Sequence, residues 1–228
     1  MISLNPKRDV VLFDLDGTVL DTFQPILDSM RYATEKVFGQ ALPDEELIAK
    51  VGQPLVTQME TFAADHGYGP EAAEELTTTY RAHNEKDLQE KSGPFPGVPR
   101  AIDTLREKGY IVGIVTSKRV WLASESLKAH GLFDLFACVN GAEDSEGHKP
   151  DPDPLFAAAK KLGVDPSRCI YVGDSPYDLQ AAKAADMPSV GVTWGKFFSR
   201  EVLLNEMPSV LICDPSELVG AIEFAAIH

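Results

Sequence analysis

Residues 9–18 read Asp9-Val-Val-Leu-Phe-Asp14-Leu-Asp16-Gly17-Thr18. Four consecutive apolar residues, two of them β-branched, run into acids and a glycine, which predicts a buried strand breaking into a turn. Alternation along an extended backbone puts Asp14 and Asp16 on one side of the chain, so two carboxylates leave the strand together. An acid pair ahead of a glycine is also an ordinary polar turn. The apolar run before this pair is what sets it apart.

Similar runs recur at residues 110–116, 136–140, 169–174, 189–193 and 210–214, and helix-length amphipathic segments lie at 98–108, 120–130, 152–162, 176–185 and 215–226. Strands alternating with helices of this length predict an α/β fold, a Rossmann-like parallel sheet with helices on both faces and right-handed crossovers. One interval breaks the rhythm, because about seventy residues separate the first strand from the second, where a single crossover helix needs far fewer. That interval holds only helical patterns, at 25–38, 44–50, 55–66 and 70–91, with Pro43-Asp44 and Gly69-Pro70 as helix-start signals. It closes at residues 92–99, Ser-Gly-Pro-Phe-Pro-Gly-Val-Pro, the densest Gly/Pro stretch of the chain. The expected organisation is an α/β core of residues 1–18 and 93–228 with an inserted α-helical cap of residues 19–92. Hinges are expected near Asp21 and along residues 92–97.

The chain has 228 residues, 44% of them hydrophobic, which is enough to bury a real core. Its 35 acids and 21 bases leave a formal charge of -14, a field that repels phosphate backbones and anionic headgroups, so neither nucleic acid nor membrane is expected as a partner. Residues 19–92 alone carry 14 acids and 6 bases. That balance points to a small substrate admitted by local contacts. Three cysteines without close spacing indicate no disulfide framework and no zinc knuckle, and a reducing cytoplasm fits them. Cys138, Cys169 and Cys213 are expected as inert thiols in or beside strands, and Trp121 and Trp194 as packing residues. No signal peptide or membrane span is readable, because Asp14 and Asp16 break the first apolar run. Nothing in the sequence sets an oligomeric state.

Three further places fall at expected strand ends. Thr116-Ser117, followed by Lys118-Arg119 and a helix, offers hydroxyls and backbone N–H groups at a helix start, a natural anion cradle and equally a simple cap. Lys149 stands ahead of three alternating prolines in Gly147-His148-Lys149-Pro150-Asp151-Pro152-Asp153-Pro154, expected as a rigid extended segment that holds its ammonium in one direction, which suits phosphate binding and equally a solvated lysine beside acids. His148 takes no role. Gly173-Asp174-Ser175-Pro176-Tyr177-Asp178 opens a helix, with Asp174 and Asp178 four apart and suited to Mg²⁺ or to capping. Four such clusters at one carboxyl edge of a parallel sheet mark a site.

These residues resemble the four motifs of the haloacid dehalogenase superfamily, and among its members the phosphatases. Asp14 to Thr18 is similar to the DxDGT motif, Thr116-Ser117 to the second, Lys149 before Pro150 to the third, and Gly173-Asp174 with Asp178 to the fourth. The helical insert resembles the cap of the phosphoglycolate phosphatase and pyrophosphatase subgroup, as does Val51-Gly52-Gln53-Pro54-Leu55. Residues 80–84 look close to the pyrophosphatase branch. The resemblance implies a Mg²⁺-dependent phosphohydrolase acting on a small phosphorylated molecule. Asp14 would be the nucleophile, and Asp16 the proton donor and acceptor. Metal would be held by Asp14, the Asp16 carbonyl and Asp174, with Asp178 as further ligand or support. Thr116, the Ser117 N–H and Lys149 would grip phosphate, with Gly52 and Gln53 closing over it. Arg81 and Lys50 stand as contacts to a second anionic group or as solvated residues. A phosphosugar mutase shares all four motifs, and a receiver-like phospho-accepting module shares the acid, hydroxyl and lysine set in half the length.

Overall fold

The structure, a computed structural model, describes residues 8–227, and for residues 86–90 the backbone only. Residues 1–7 and 228 of the expected core segments lie outside the described residues.

The apolar run after Asp9 forms β1 (Val10–Phe13), with every residue buried. The chain continues through β2 (Leu20–Asp21) into four helices, α1 (Phe23–Phe38), α2 (Asp44–Ile48), α3 (Leu55–Asp65) and α4 (Pro70–Lys91). It returns at β3 (Gly93–Pro94), followed by α5 (Val98–Glu107), β4 (Ile111–Val115), α6 (Val120–Ala129), β5 (Cys138–Asn140) and α7 (Asp153–Leu162). The last part comprises β6 (Cys169–Gly173), α8 (Pro176–Ala184), β7 (Ser189–Val192), α9 (Arg200–Asn205), β8 (Val210–Ile212) and α10 (Leu218–Ile227).

Six of these strands make one sheet in the order β5-β4-β1-β6-β7-β8, and every pairing is parallel. Successive side chains on a strand point to opposite faces, and the packing follows that period. Val11, Phe13, Val112, Ile114, Ile170 and Val172 join α5, α6 and α10 in one apolar layer. Val10, Leu12, Val115, Cys169 and Tyr171 join α7 and α8 in the other. Burying a side chain the size of Phe13 contributes about 1.5–3 kcal/mol. With such residues at the sheet centre, the register is strongly specified.

The four helices of residues 23–91 share an apolar cluster that includes Met30, Leu47, Met59, Phe62 and Leu76. Phe197, from the segment after β7, completes that cluster and ties the helical segment to the sheet's carboxyl edge. The strands β2 and β3 pair antiparallel, Leu20 with Pro94 and Asp21 with Gly93, so the chain leaves the sheet layer and returns to it side by side. Among the described residues no helix is long and apolar enough to cross a membrane.

Several expectations need correction. The proline segment after Lys149 is not extended. It is a turn closed by the Asp151 N–H on the His148 carbonyl (2.8 Å), and Pro152 already has helical dihedrals. Trp121 is 51% exposed and does not pack, whereas Trp194 lies against the core and its indole N–H donates to the Thr18 carbonyl (3.0 Å). Cys138 and Cys169 are buried, and that burial pushes their thiols up to about 11 and about 12, but Cys213 is exposed at the end of β8. The short α9 was not foreseen.

Candidate active site

The centre of the sheet explains which side chains meet. Since β1 lies between β4 and β6, with Phe13 level with both Ile114 and Val172, the residues just beyond all three strands converge at one edge. Asp14 follows β1, Thr116 follows β4 and Asp174 follows β6. All three are buried, with exposures of 6%, 4% and 4%.

Lys149 enters this edge from the turn before α7. Its ammonium donates to Asp14 Oδ1 at 2.7 Å, to Asp178 Oδ1 at 2.6 Å and to the Tyr171 hydroxyl at 3.3 Å. Burial alone would lower the lysine, but the Asp14 and Asp178 charges outweigh it and hold the ammonium well above its ordinary range. Asp178 also accepts from the Ser175 N–H (3.1 Å) and hydroxyl (2.6 Å), while its own N–H meets Ser175 Oγ (3.2 Å), a capping box that fixes the start of α8. Asp174 accepts from the Thr18 hydroxyl at 3.1 Å. A Cβ on Gly17, whose φ is +84°, or on Gly195 would collide with the Asp174 carboxylate, so both glycines are required to let it sit there.

Asp14, Asp174 and Asp178 each offer a carboxylate oxygen within 4.8 Å of the others. A single buried ammonium faces three buried carboxylates, which leaves an excess of negative charge. Burial, followed by the Asp178 and Asp16 charges and against the pull of Lys149, pushes Asp14 up to about 7, and burial with Asp14 and Asp178 raises Asp174 well above the carboxylate range. Hard oxygens in this number, short of charge compensation, fit a divalent cation such as Mg²⁺.

The metal-free protein therefore keeps a proton that the unfolded chain releases near the ordinary aspartate value. That stabilisation is present at low pH and is lost as pH rises through about 7. A cation competes with the same proton. MgCl₂ is thus expected to raise the thermal midpoint of EDTA-treated protein more at about pH 8 than at about pH 6. Equal shifts at both pH values would contradict the charge arrangement.

Asp16 is half-buried and turns from this group to Lys118, whose ammonium lies 2.5 Å from its Oδ1. Thr116 Oγ1 accepts from the Lys118 N–H (3.2 Å). The Ser117 hydroxyl points across to the helical segment and donates to the Gly52 carbonyl at 2.7 Å. Gly52, at φ +104°, packs so closely on Ser175 and Tyr177 that a Cβ would lie 3.0 Å from each. Tyr177 donates to the Ala49 carbonyl (3.1 Å), and Gln58 Nε2 to the Gln53 carbonyl (2.7 Å). The loop 49–53 is thereby docked on the turns after β4 and β6.

Between sheet edge and helices lies a cleft of roughly 810 Å³ lined by Asp14, Asp16, Gly52, Gln53, Thr116, Ser117, Asp174 and Asp178 among others. His148 and Arg81 also line it, and Lys50 does not. Lys149 sits behind its wall, 3% exposed. Lys118, Thr18, Tyr171 and Gly195 also take part in this arrangement, with no role readable from the sequence for Thr18, Tyr171 or Gly195. Lys118 had a legible signal in its position directly after Thr116-Ser117. Tyr171 had none, being one apolar-looking residue within a strand.

The model of the haloacid dehalogenase-like hydrolases matches residues 11–192. A pyrophosphatase PpaX from Bacillus velezensis is 35% identical over 184 residues, 81% of this chain and 82% of that protein. Another, from Anoxybacillus flavithermus, is 32% identical over 212 residues, 93% and 95% of the two chains. The phosphoglycolate phosphatase of Escherichia coli is 29% identical over 240 aligned positions, 96% of this chain and 95% of that one. A solved hydrolase from Pseudomonas syringae superposes with a TM-score of 0.84 at 26% identity, covering 94% of this chain and 97% of its own.

Proposed function

Because the chain belongs to the haloacid dehalogenase-like hydrolases, we propose that it is a Mg²⁺-dependent phosphohydrolase that cleaves a small phosphorylated metabolite through an aspartyl-phosphate on Asp14. The observation that carries this reading is the buried Asp14 carboxylate, held by Lys149, grouped with Asp174 and Asp178 and opening on a cleft.

In this scheme a carboxylate oxygen of Asp14 attacks phosphorus while the bond from phosphorus to the leaving oxygen breaks, and Asp16 supplies the proton that the leaving oxygen takes. Water then attacks the acyl phosphate, Asp16 accepts its proton, and phosphate leaves with Asp14 restored. Thr116, the Ser117 N–H and Lys149 hold the transferring oxygens. Lys149 also fixes the Asp14 rotamer through Oδ1, so the nucleophile is oriented before substrate arrives. When bound, Mg²⁺ would be held by Asp14, the Asp16 carbonyl and Asp174 with Asp178 beside them, and would offset the repulsion between an anionic phosphate and the Asp14 carboxylate.

Residues 19–92 act in this proposal as a cap on a core of residues 1–18 and 93–228. The hinge lies where β2 and β3 pair, and the bonds from Ser117 to Gly52 and from Tyr177 to Ala49 hold the closed position. Closure brings Gly52 and Gln53 over the phosphate and keeps bulk water out.

The test is hydrolysis of a panel holding phosphoglycolate, pyrophosphate, sugar phosphates and nucleoside monophosphates, with MgCl₂ and with EDTA. Turnover of a subset, abolished by EDTA, is expected. No phosphate release from any member in MgCl₂ would refute the reading.

A further inference from the structure

The helix α4 brings two polar side chains to the cleft, one turn apart. Tyr80 and Asn84 both line it, and residues four apart on a helix share one face. Each is more than nine-tenths buried, with exposures of 8% and 3%. The Tyr80 ring packs in the apolar cluster of the helical segment, yet among the described residues its hydroxyl has no hydrogen-bond partner. Asn84 is held by its nitrogen alone, which donates to the Pro25 carbonyl (3.2 Å) and to Ser29 Oγ (3.1 Å) on α1. Because the carbonyl can only accept, the amide is fixed with Oδ1 as its free end, and among the described residues that oxygen has no partner. Gln58 on α3, 5% exposed, repeats the pattern in the same lining. Its Nε2 is spent on the Gln53 carbonyl, and its Oε1 is unpartnered.

Buried polar groups in folded proteins are paired as a rule, and leaving one unmade is costly. Three such groups on the helical side of one cleft call for a ligand. Two are amide oxygens that can only accept, the third is a hydroxyl that both donates and accepts, and none is charged. Hydroxyl groups match this set. A hydroxyl gives its proton to an amide oxygen and takes one from a tyrosine, whereas an ionised carboxylate or phosphate offers acceptors only and sets its lone pairs against those of the amides. The cleft of roughly 810 Å³ has room for several carbons beyond a phosphoryl group.

We propose that Tyr80 and Asn84, with Gln58 in the same lining, recognise hydroxyl groups on the leaving part of the substrate, so that the substrate is a phosphate monoester of a polyol or sugar. The inference rests on the phosphohydrolase reading and narrows it to esters whose leaving group carries O–H donors. A leaving group without such donors keeps the amide oxygens unmet and gains nothing from this wall.

Two measurements test it. First, glycerol 1-phosphate and sorbitol 6-phosphate are compared with n-propyl and n-hexyl phosphate, which match them in carbon chain but lack hydroxyls. The ratio of kcat/KM for polyol over alkyl ester is expected to exceed about tenfold for at least one chain length. In Tyr80→Phe, which removes one oxygen and keeps the ring packing, that ratio should fall about fivefold, mainly through KM. Asn84→Ala should lower it likewise, while the thermal midpoint reports the separate cost of cutting the ties to α1. A loss of packing alone would lower both esters together, and an unchanged ratio in Tyr80→Phe overturns the proposal. So does a wild-type ratio near one at both chain lengths, or a higher kcat/KM for phosphoglycolate or pyrophosphate than for every polyol and sugar phosphate tested. Second, the phosphonate counterparts of the same four esters, which are not hydrolysed, are titrated by calorimetry in MgCl₂. Tighter binding of a polyol phosphonate than of its alkyl match, with the difference reduced in Tyr80→Phe, is expected, and equal affinities in the wild type overturn the proposal. This titration needs no turnover, so it judges the hydroxyl contact even if the panel above shows no hydrolysis.

Discussion

Asp14→Asn is expected to lower phosphate release by at least about 10⁴-fold, the scale on which loss of a covalent nucleophile acts. The substitution keeps the size and the hydrogen-bonding outline of the side chain, so the fold is expected to persist. It also removes one of the three carboxylates crowded around Lys149, and the metal-free variant should lose less stability than the wild type as pH rises through about 7. Acid-quenched wild-type protein taken during turnover should carry one phosphoryl group on the peptide containing residue 14, and the variant none. Turnover within tenfold of wild type would exclude Asp14 as the attacking group.

Lys149→Met should have the second largest effect, on stability as well as on rate. Methionine preserves the length and apolar stem of the side chain but leaves Asp14 and Asp178, at 6% and 1% exposure, without their shared cation. Breaking a buried ion pair from one side costs about 3–5 kcal/mol. In the proposed scheme, losing the ammonium that orients the Asp14 carboxylate costs a further factor of about 10² in kcat. The destabilisation should shrink as pH falls towards about 7, because Asp14, freed from the lowering pull of Lys149, takes up a proton above that value in the variant and then needs no partner. Denaturant melts at several pH values measure this directly. A variant as stable as wild type at high pH would mean that the ammonium does not compensate the carboxylates.

Both expectations start from residues whose importance was readable before any coordinates. The run Val10–Phe13, the acids beyond it, and the later strand-end clusters at Thr116, Lys149 and Asp174 were legible because parallel strands are continuous apolar runs and sites collect at their carboxyl ends. The long helical interval between the first two core strands was legible for a related reason, since no single crossover explains it. What was misread depended on neighbours distant in sequence. Three prolines suggested an extended segment around Lys149, yet the chain turns there so that the ammonium can reach Asp14 and Asp178. Trp121 looked like a packing residue, but its helix presents it to the cleft. The Ser117 hydroxyl, which the sequence left open as an anion ligand or a cap, is drawn to the Gly52 carbonyl by the docked loop.

By itself, the sequence determined the α/β alternation, the helical insert and the identity of the acids, hydroxyl and lysine, because periodicity and strand-end chemistry are set by residues within one or two turns of each other. Only the tertiary structure decided which of these groups touch. The sheet order β4-β1-β6 brings three distant strand ends to one edge and gathers three carboxylates around one ammonium. Those meetings follow from crossovers and from the approach of the helical segment. They are long-range consequences of burying Phe13 and its neighbours in the sheet layers and Phe197 beneath the helices, and no local pattern encodes them.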